Sequence, residues 1–306
     1  MASNRDIIRI GTRGSRLALI QAERVIEKLK GGFPELGFET VIIKTKGDKD
    51  KTSPLVDIGG IGLFTKAIED ALLEKSIDIA VHSAKDLPSD IDAKFEIPAV
   101  LERGSVEDVL LTRDGRPLDM LREGALIGSS SPRRISQLLH LKQDLRFADI
   151  RGNMDTRIKK LKTGAYDGII SAKAAVERID IDKSTYSIIP KNLCLPAAGQ
   201  GIICMECLRD NSEISELLKK INHLTTFQRL KAERSFLREL DIGCGLPVAV
   251  LSEIDGGRMK IIGRVLDAGG KRIAEETVFG KRDKAEELGK QLGKKILPQA
   301  NELLGR

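Results

Sequence analysis

Arginine is the residue whose placement in this chain says most about chemistry. Ser130-Ser131-Pro132-Arg133-Arg134 follows a strand-like run, Ala125–Gly128, and opens a helix-like one. Arg151-Gly152-Asn153 follows a second run, Leu145–Ile150, and opens another helix, with Arg157 about a turn and a half further on. Arg13 lies in Gly11-Thr12-Arg13-Gly14-Ser15, after the run Ile7–Ile10. A guanidinium is a planar fork that takes a carboxylate or phosphate bidentately. A helix N-terminus adds unpaired N–H groups and the positive end of a dipole. In an open α/β sheet the carboxyl ends of the strands form the ligand crevice. A single such arginine reads as a solvated surface charge, but three strand-to-helix turns delivering arginine to the same edge predict an anion site.

Two further constellations could carry chemistry. Asp78-Ile79-Ala80-Val81-His82-Ser83-Ala84-Lys85-Asp86-Leu87-Pro88 ends a strand in a turn that presents Lys85 beside Asp86. A carboxylate there could move a proton or stabilise a developing cation, although Lys-Asp at a strand end is commonly a polar turn. Asp241-Ile242-Gly243-Cys244-Gly245-Leu246-Pro247 sets a cysteine between glycines, which suits a covalent attachment point. Alone, a cysteine is more often a small buried hydrophobe. Other patterns fall short: Cys204-Met205-Glu206-Cys207 has zinc-like spacing without a second pair. Gly60-Ile61-Gly62-Leu63-Phe64-Thr65 lacks the last glycine of a dinucleotide fingerprint, and no Walker lysine loop occurs.

The elements that must position these residues read as α/β. Strand-like runs at 7–10, 40–45, 77–81, 109–112, 125–128, 145–150 and 167–172 alternate with helical periodicity at 15–30, 63–75, 133–141, 155–162 and 172–178. That alternation predicts parallel sheets with helical crossovers. Breaks at Pro98–Gly104 and Pro190–Pro196 read as crossings between two α/β lobes. Residues 212–239 read as one helix with Ser212 as N-cap; three apolar runs around Asp255-Gly256-Gly257 and Ala268-Gly269-Gly270 read as hairpins, and 284–296 as a closing helix. The expected division is a discontinuous first lobe, 1–101 and 198–220, a basic second lobe, 102–197, and a small α+β domain, 221–306, carrying Cys244.

Charge agrees with an anionic partner. The net charge is +6, and between Ser129 and Arg178 eleven Lys/Arg face five Asp/Glu, an excess equal to that of the whole chain. Aromatic residues are only 3% with no Trp, so stacking platforms for nucleic acid are scarce. Apolar runs are too short to span a membrane, no signal peptide is read, and four cysteines in 306 residues make no disulfide framework, so the expected compartment is the cytoplasm.

In register, these segments resemble the porphobilinogen deaminases (hydroxymethylbilane synthases). The resemblance runs through Ile10-Gly11-Thr12-Arg13-Gly14-Ser15-Arg16-Leu17-Ala18-Leu19, Val81–Pro88, Gly128–Arg134, Arg151-Gly152-Asn153 with Arg157, Pro196-Ala197-Ala198-Gly199-Gln200-Gly201 and Glu233-Arg234-Ser235-Phe236-Leu237 to Gly243-Cys244. It implies two lobes like those of solute-binding proteins with the active site between them, a third domain, and a monomer. It implies a dipyrromethane cofactor held by a thioether to Cys244, on which four porphobilinogen molecules are condensed head to tail with release of ammonia. Arg13, Ser15, Arg151, Arg157 and Arg178 would bind substrate carboxylates; Lys85, Ser131, Arg133 and Arg134 would bind the cofactor. Asp86, expected as a carboxylate buried among cations, would be the catalytic group, and 46–60 would be a loop over the cleft. Ile61 departs from a lysine common in the family, and Ser171–Arg178 replaces a more Gly/Leu-rich pattern. A non-catalytic two-lobed protein for polyanionic small molecules would explain the arginines but not Cys244 or Asp86.

Overall fold

The computed structural model describes residues 7–45, 65–241 and 246–305. Cys244 with its flanking glycines, the stretch 46–60 and Ile61 therefore lie outside the described residues. The chain divides into two compact units, Met1–Arg103 with Ile202–Phe227, and Gly104–Gly201 with Gln228–Arg306.

The first unit is built on a sheet of five strands, β1 (Ile7–Arg13), β2 (Gly37–Ile43), β3 (Ile79–Ser83), β4 (Phe95–Val100) and β10 (Ile203–Leu208), which pair in the order β2-β1-β3-β10-β4. β1 runs parallel to β2 and β3, whereas β10 is antiparallel to both β3 and β4. The expectation of parallel sheets is thus corrected: a run buried on both faces carries no mark of its direction. β4 corrects the sequence reading again: Pro98, expected to break the chain, lies inside the strand. β4 is at the sheet edge, where a residue without an N–H is tolerated.

Helix α1 (Arg16–Gly32) starts where Ser15 Oγ accepts from Ala18 N at 3.3 Å, and it buries Gln21, Ala22, Val25 and Leu29 at helical spacing. Ala22, Val25 and Leu29 join Ile8, Ile10, Ile79, Val81, Ile203 and Met205 on one sheet face. Helix α2 (Lys66–Leu73) covers the other with Ile68, Ala71 and Leu72 against Ile77 and Ala80.

The second unit repeats the plan. β5 (Asp108–Leu111), β6 (Leu126–Gly128), β7 (Arg146–Ala148), β8 (Gly168–Ala172) and β9 (Tyr186–Ile189) pair in the order β7-β6-β8-β5-β9. β6 is parallel to β7 and β8, and β5 is antiparallel to β8 and β9. Helices α3 (Pro132–Leu141), α4 (Met154–Lys162) and α5 (Lys173–Arg178) follow β6, β7 and β8 in turn. Pro132 sits at the first helical position, where its fixed φ and missing N–H cost nothing.

Residues 212–239 are two helices, not one: α6 (Ser212–Ile221) and α7 (Leu224–Leu240) are separated at Asn222-His223. The N-cap of α6 is Asn211, whose side chain accepts from Ile214 N, and Ser212 is the first helical residue. In the second unit, β11 (Val248–Asp255), β12 (Arg258–Leu266) and β13 (Ile273–Lys281) form an antiparallel meander, followed by α8 (Ala285–Leu304). Their core joins Phe236, Val250, Ile261, Leu292 and Ile296. Gly289 brings α8 against α7, since a Cβ there would stand 2.1 Å from the Ala232 carbonyl oxygen.

Candidate active site

In the first unit the parallel register of β1 and β3 puts their carboxyl ends on one edge. Arg13 is the last residue of β1 and Ser15 caps α1. β3 ends at Ser83 and runs into a 3-10 turn, Ala84–Asp86. Ala84 N donates to Ile202 O at 3.0 Å, and Ala84 and Leu87 are buried, so the turn is pinned on both sides of Lys85-Asp86. Lys85 is half-buried and Asp86 is exposed. The expectation of a buried Asp86 is corrected: the turn anchors its backbone in the core and points its carboxylate outward.

In the second unit β6 and β7 are adjacent and parallel, so the turns after them share an edge. Ser130 joins those turns: its Oγ accepts from Ile150 N at 3.1 Å and lies 3.3 Å from Ile150 O, to which it donates. Ser131 is the N-cap residue of α3 in extended backbone, and its side chain does not cap its own helix. Arg133 and Arg134 lie in the first turn of α3, and both are buried. Asp108 opens β5 beneath them, wholly buried. Arg133 Nη2 donates to Asp108 Oδ2 at 2.8 Å, and Arg134 Nε and Nη2 donate to Oδ1 at 3.0 and 2.7 Å. Burial alone would push that carboxyl up; the charges and hydrogen bonds of both guanidiniums outweigh it and hold Asp108 well below the usual carboxylate range. Two guanidiniums on one carboxylate leave an excess of one positive charge in a buried setting.

Arg151 is half-buried at the start of the next turn, and its Nη2 is buried with no hydrogen-bond partner. Gly152, at φ +103°, makes the turn possible: a Cβ there would also stand 2.7 Å from Thr156 Cγ2. Asn153 then caps α4, and Arg157 Nε donates back to Gly152 O at 2.9 Å. Arg178 is set apart from this group. It closes α5 rather than opening it, and its Nη2 donates to Gly201 O at 2.6 Å.

Three of the four cysteines can be placed. Cys194, Cys204 and Cys207 are free and buried, and burial chiefly pushes the thiols of Cys194 and Cys207 up to about 12. At neutral pH those two are protonated and poor nucleophiles. Among the described residues no cluster of His, Cys, Asp and Glu could hold a metal ion. No described helix is long and apolar enough to cross a membrane.

Sequence reasoning did not find Asp108 or Gln200. Asp108 is one acidic residue ahead of an apolar run and carries no local signal. Gln200 lies in the quoted Pro196–Gly201 segment but received no role; its Nε2 donates to Val106 O at 2.6 Å and to Asp108 Oδ1 at 3.1 Å.

Comparison with known proteins adds the family. Residues 8–216 match the profile described as porphobilinogen deaminase, dipyromethane cofactor binding domain, and residues 227–298 match that of porphobilinogen deaminase, C-terminal domain. The porphobilinogen deaminase of Syntrophomonas wolfei is 45% identical over 292 residues, 95% of each chain. That of Nostoc sp. is 40% identical over 308 residues, 99% of this chain and 95% of the relative. Among solved structures, the aliphatic sulphonate binding protein SsuA from Escherichia coli is similar with a TM-score of 0.41 at 14% identity, covering 77% of this chain and 71% of that one. With both profiles matched and relatives aligned over nearly the full length, the chain belongs to the porphobilinogen deaminase family.

Proposed function

We propose that this chain is a transferase that condenses four porphobilinogen molecules head to tail into hydroxymethylbilane, taking up one water and releasing four ammonia, in tetrapyrrole biosynthesis. The observation that carries the reading is the arginine edge of the second unit. There Arg151 holds a buried nitrogen without a partner, and Arg133 and Arg134 outnumber their one carboxylate. Porphobilinogen carries an acetate and a propionate, so every ring added to a growing chain brings two more carboxylates. Buried donors of fixed charge favour such a ligand over a neutral one.

A covalent dipyrromethane fits the residues present. The unpartnered Arg151 nitrogen and the excess positive charge at Arg133 and Arg134 suit its carboxylates. Cys194 and Cys207 are unsuited to carry it, being buried and held as thiols, and Cys204 is likewise buried. The anchor proposed is Cys244, the cysteine that the family resemblance matches to it. When bound, the cofactor supplies the pyrrole carbon from which the product chain is started. Ser131, Arg133, Arg134 and Lys85 would hold its side chains; Arg13, Ser15, Arg151, Arg157 and Arg178 would hold those of the incoming substrate. Ser15 keeps its hydroxyl proton to donate, because in capping α1 its oxygen only accepts.

Asp86 is the group proposed to act on the reacting atoms. Its carboxylate accepts a hydrogen bond from the substrate's ammonium. When the C–N bond breaks, the electron pair leaves with nitrogen as ammonia, and the same carboxylate faces the cationic methylene-pyrrole that remains. Exposure of Asp86 and the pinning of its turn support this role, since the group is reachable and its position fixed. We further propose the division into lobes 1–101 with 198–220 and 102–197 plus a C-terminal domain 221–306, a monomeric state, and a cytoplasmic location without nucleic-acid partners.

The test is the intact mass of the denatured protein beside its Cys244→Ser variant. The expected result is an excess of two linked pyrrole units in the parent and none in the variant. If no adduct forms even after incubation with porphobilinogen, the enzyme reading fails and a non-catalytic polyanion-binding protein replaces it.

A further inference from the structure

Asp108 receives more than an ion pair needs. Besides the three arginine N–H groups, Gln200 Nε2 donates to its Oδ1 at 3.1 Å, and the Cys194 thiol lies 3.6 Å from its Oδ2. Each guanidinium is also held from another side. Arg133 Nη1 donates to Leu195 O at 2.7 Å, and Arg134 Nη1 lies 3.3 Å from Ile170 O. Every terminal guanidinium nitrogen carries two hydrogens: Arg133 Nη1 turns its second toward Cys194 Sγ at 3.6 Å, whereas Arg133 Nη2 and both terminal nitrogens of Arg134 each keep a second N–H whose direction the first contact fixes.

The network continues beyond Gln200. Gly199 N donates to Glu233 Oε2 at 2.8 Å, while Glu233 Oε1 accepts from Ser252 N at 2.9 Å and Ser252 Oγ at 2.7 Å. Glu233 and Gln200 are both wholly buried. One carboxylate on α7 therefore holds the turn that carries Gln200, and Gln200 holds the carboxylate under the arginines. A pair built only for stability would be balanced in charge. This one leaves a positive charge over, at the same edge as the unpartnered Arg151 nitrogen.

We propose that Asp108 is a positioning residue for the anion site: its single carboxylate aims the remaining N–H groups of Arg133 and Arg134, and Gln200, from the turn Glu233 anchors, keeps that carboxylate in place. The proposal rests on the reading of Arg133 and Arg134 as ligands of cofactor carboxylates.

The test compares apo protein, prepared without a supply of porphobilinogen and folded by circular dichroism, with the same protein after incubation with porphobilinogen. Two quantities are read, the fraction carrying the two-pyrrole mass and the rise in Tm on loading. A merely structural Asp108 would lower the Tm of both forms of Asp108→Asn equally and leave the rise unchanged. A positioning Asp108 shrinks the rise by half or more and raises the porphobilinogen concentration for half-loading about 10-fold, as expected when an oriented hydrogen bond to a charged group is lost. Should Asp108→Asn not fold, Asp108→Glu, which keeps the charge but displaces it by one methylene, is read in the same way. A parent-like rise and half-loading in the folded variant overturn the proposal. Arg134→Gln separates the two levels of the argument. If it shrinks the rise while neither Asp108 variant does, the positioning proposal alone is lost. If Arg134→Gln is itself parent-like, the arginine-site reading falls and the proposal falls with it.

Discussion

The two five-stranded sheets share a plan in which the fourth strand across the sheet is the antiparallel one, β10, the last of its sheet in the sequence, in the first and β5, the first of its sheet, in the second. Each of these strands buries a carboxylate completely, Glu206 on β10 and Asp108 on β5. The two are satisfied very differently. Asp108 is saturated by two permanent cations and a side-chain amide. Glu206 Oε2 meets the His82 ring nitrogen at 2.9 Å, and its Oε1 has no hydrogen-bond partner. The pairing of β10 with β4 also shifts register between Met205 and Cys207, so Glu206 sits at an irregularity rather than in a regular ladder. Glu69 of α2 is close enough to feel its charge. One architecture thus buries a carboxylate either locked by charges that do not titrate or beside groups that do. The locked version stands where arginines must be held at fixed angles. The looser one stands on the neighbour of β3, the strand that runs into the pinned turn from which Asp86 reaches solvent.

The sharpest contrast is between these buried carboxylates and the exposed Asp86. Asp86→Ala is expected to lower turnover by about 10²–10⁴-fold, the range for a positioned acid–base group. The same change should alter stability by no more than about 0.5 kcal/mol, because the side chain is exposed. Steady-state rates and thermal melts on one preparation check both halves. Normal turnover would remove Asp86 from its role.

Among the buried pair, Asp108→Asn is expected to cost about 3–5 kcal/mol, since it strands two guanidiniums without a counter-charge. Glu206→Gln should cost less, about 1–3 kcal/mol, because the amide oxygen can still face His82 and the loss is that of amide N–H groups buried where an oxygen already had no partner. Denaturant melts of the two amide variants decide it, and equal losses would break the distinction between locked and loose.

How much of this was legible in the sequence differs between the same two sites. The arginine turns were readable because each leaves a local mark: Ser-Pro-Arg-Arg after a short strand, with proline at the first helical position, and Arg-Gly-Asn with glycine at positive φ and asparagine as cap. The strands that set the two plans were not. β10 is apolar on both faces apart from Glu206, and nothing in such a run says that it enters antiparallel. β4 was hidden by Pro98, which only its edge position permits. Asp108 was invisible because its meaning depends on Arg133 and Arg134, more than twenty residues away, and Gln200, over ninety away. For Asp86 the turn is legible and the burial is not, since sequence shows Lys85-Asp86 between apolar Ala84 and Leu87 but not which way the turn faces.

The smallest effect concerns Glu69, and its sign with pH is what makes it informative. Burial raises its carboxyl above the ordinary value of 4.5, the charge of Glu206 and, less, that of Asp70 raise it further, and Thr65 and His82 act in the opposite sense. The folded state therefore keeps the Glu69 proton to higher pH than the unfolded chain does. Stability from this group is fully present below the unfolded value and is lost as pH rises through the folded one. Glu69→Gln stays neutral at every pH and escapes that loss. Its stability relative to the parent should rise from acid to neutral pH, with the change confined to the window that opens near 4.5 and closes above the raised value. Solvent reaches part of the side chain, so the gain is small, and it is read from paired melts across that window. Parallel curves would mean that neither burial nor the charge of Glu206 holds the Glu69 proton in the folded state, and the contrast drawn between the two buried carboxylates would lose this support.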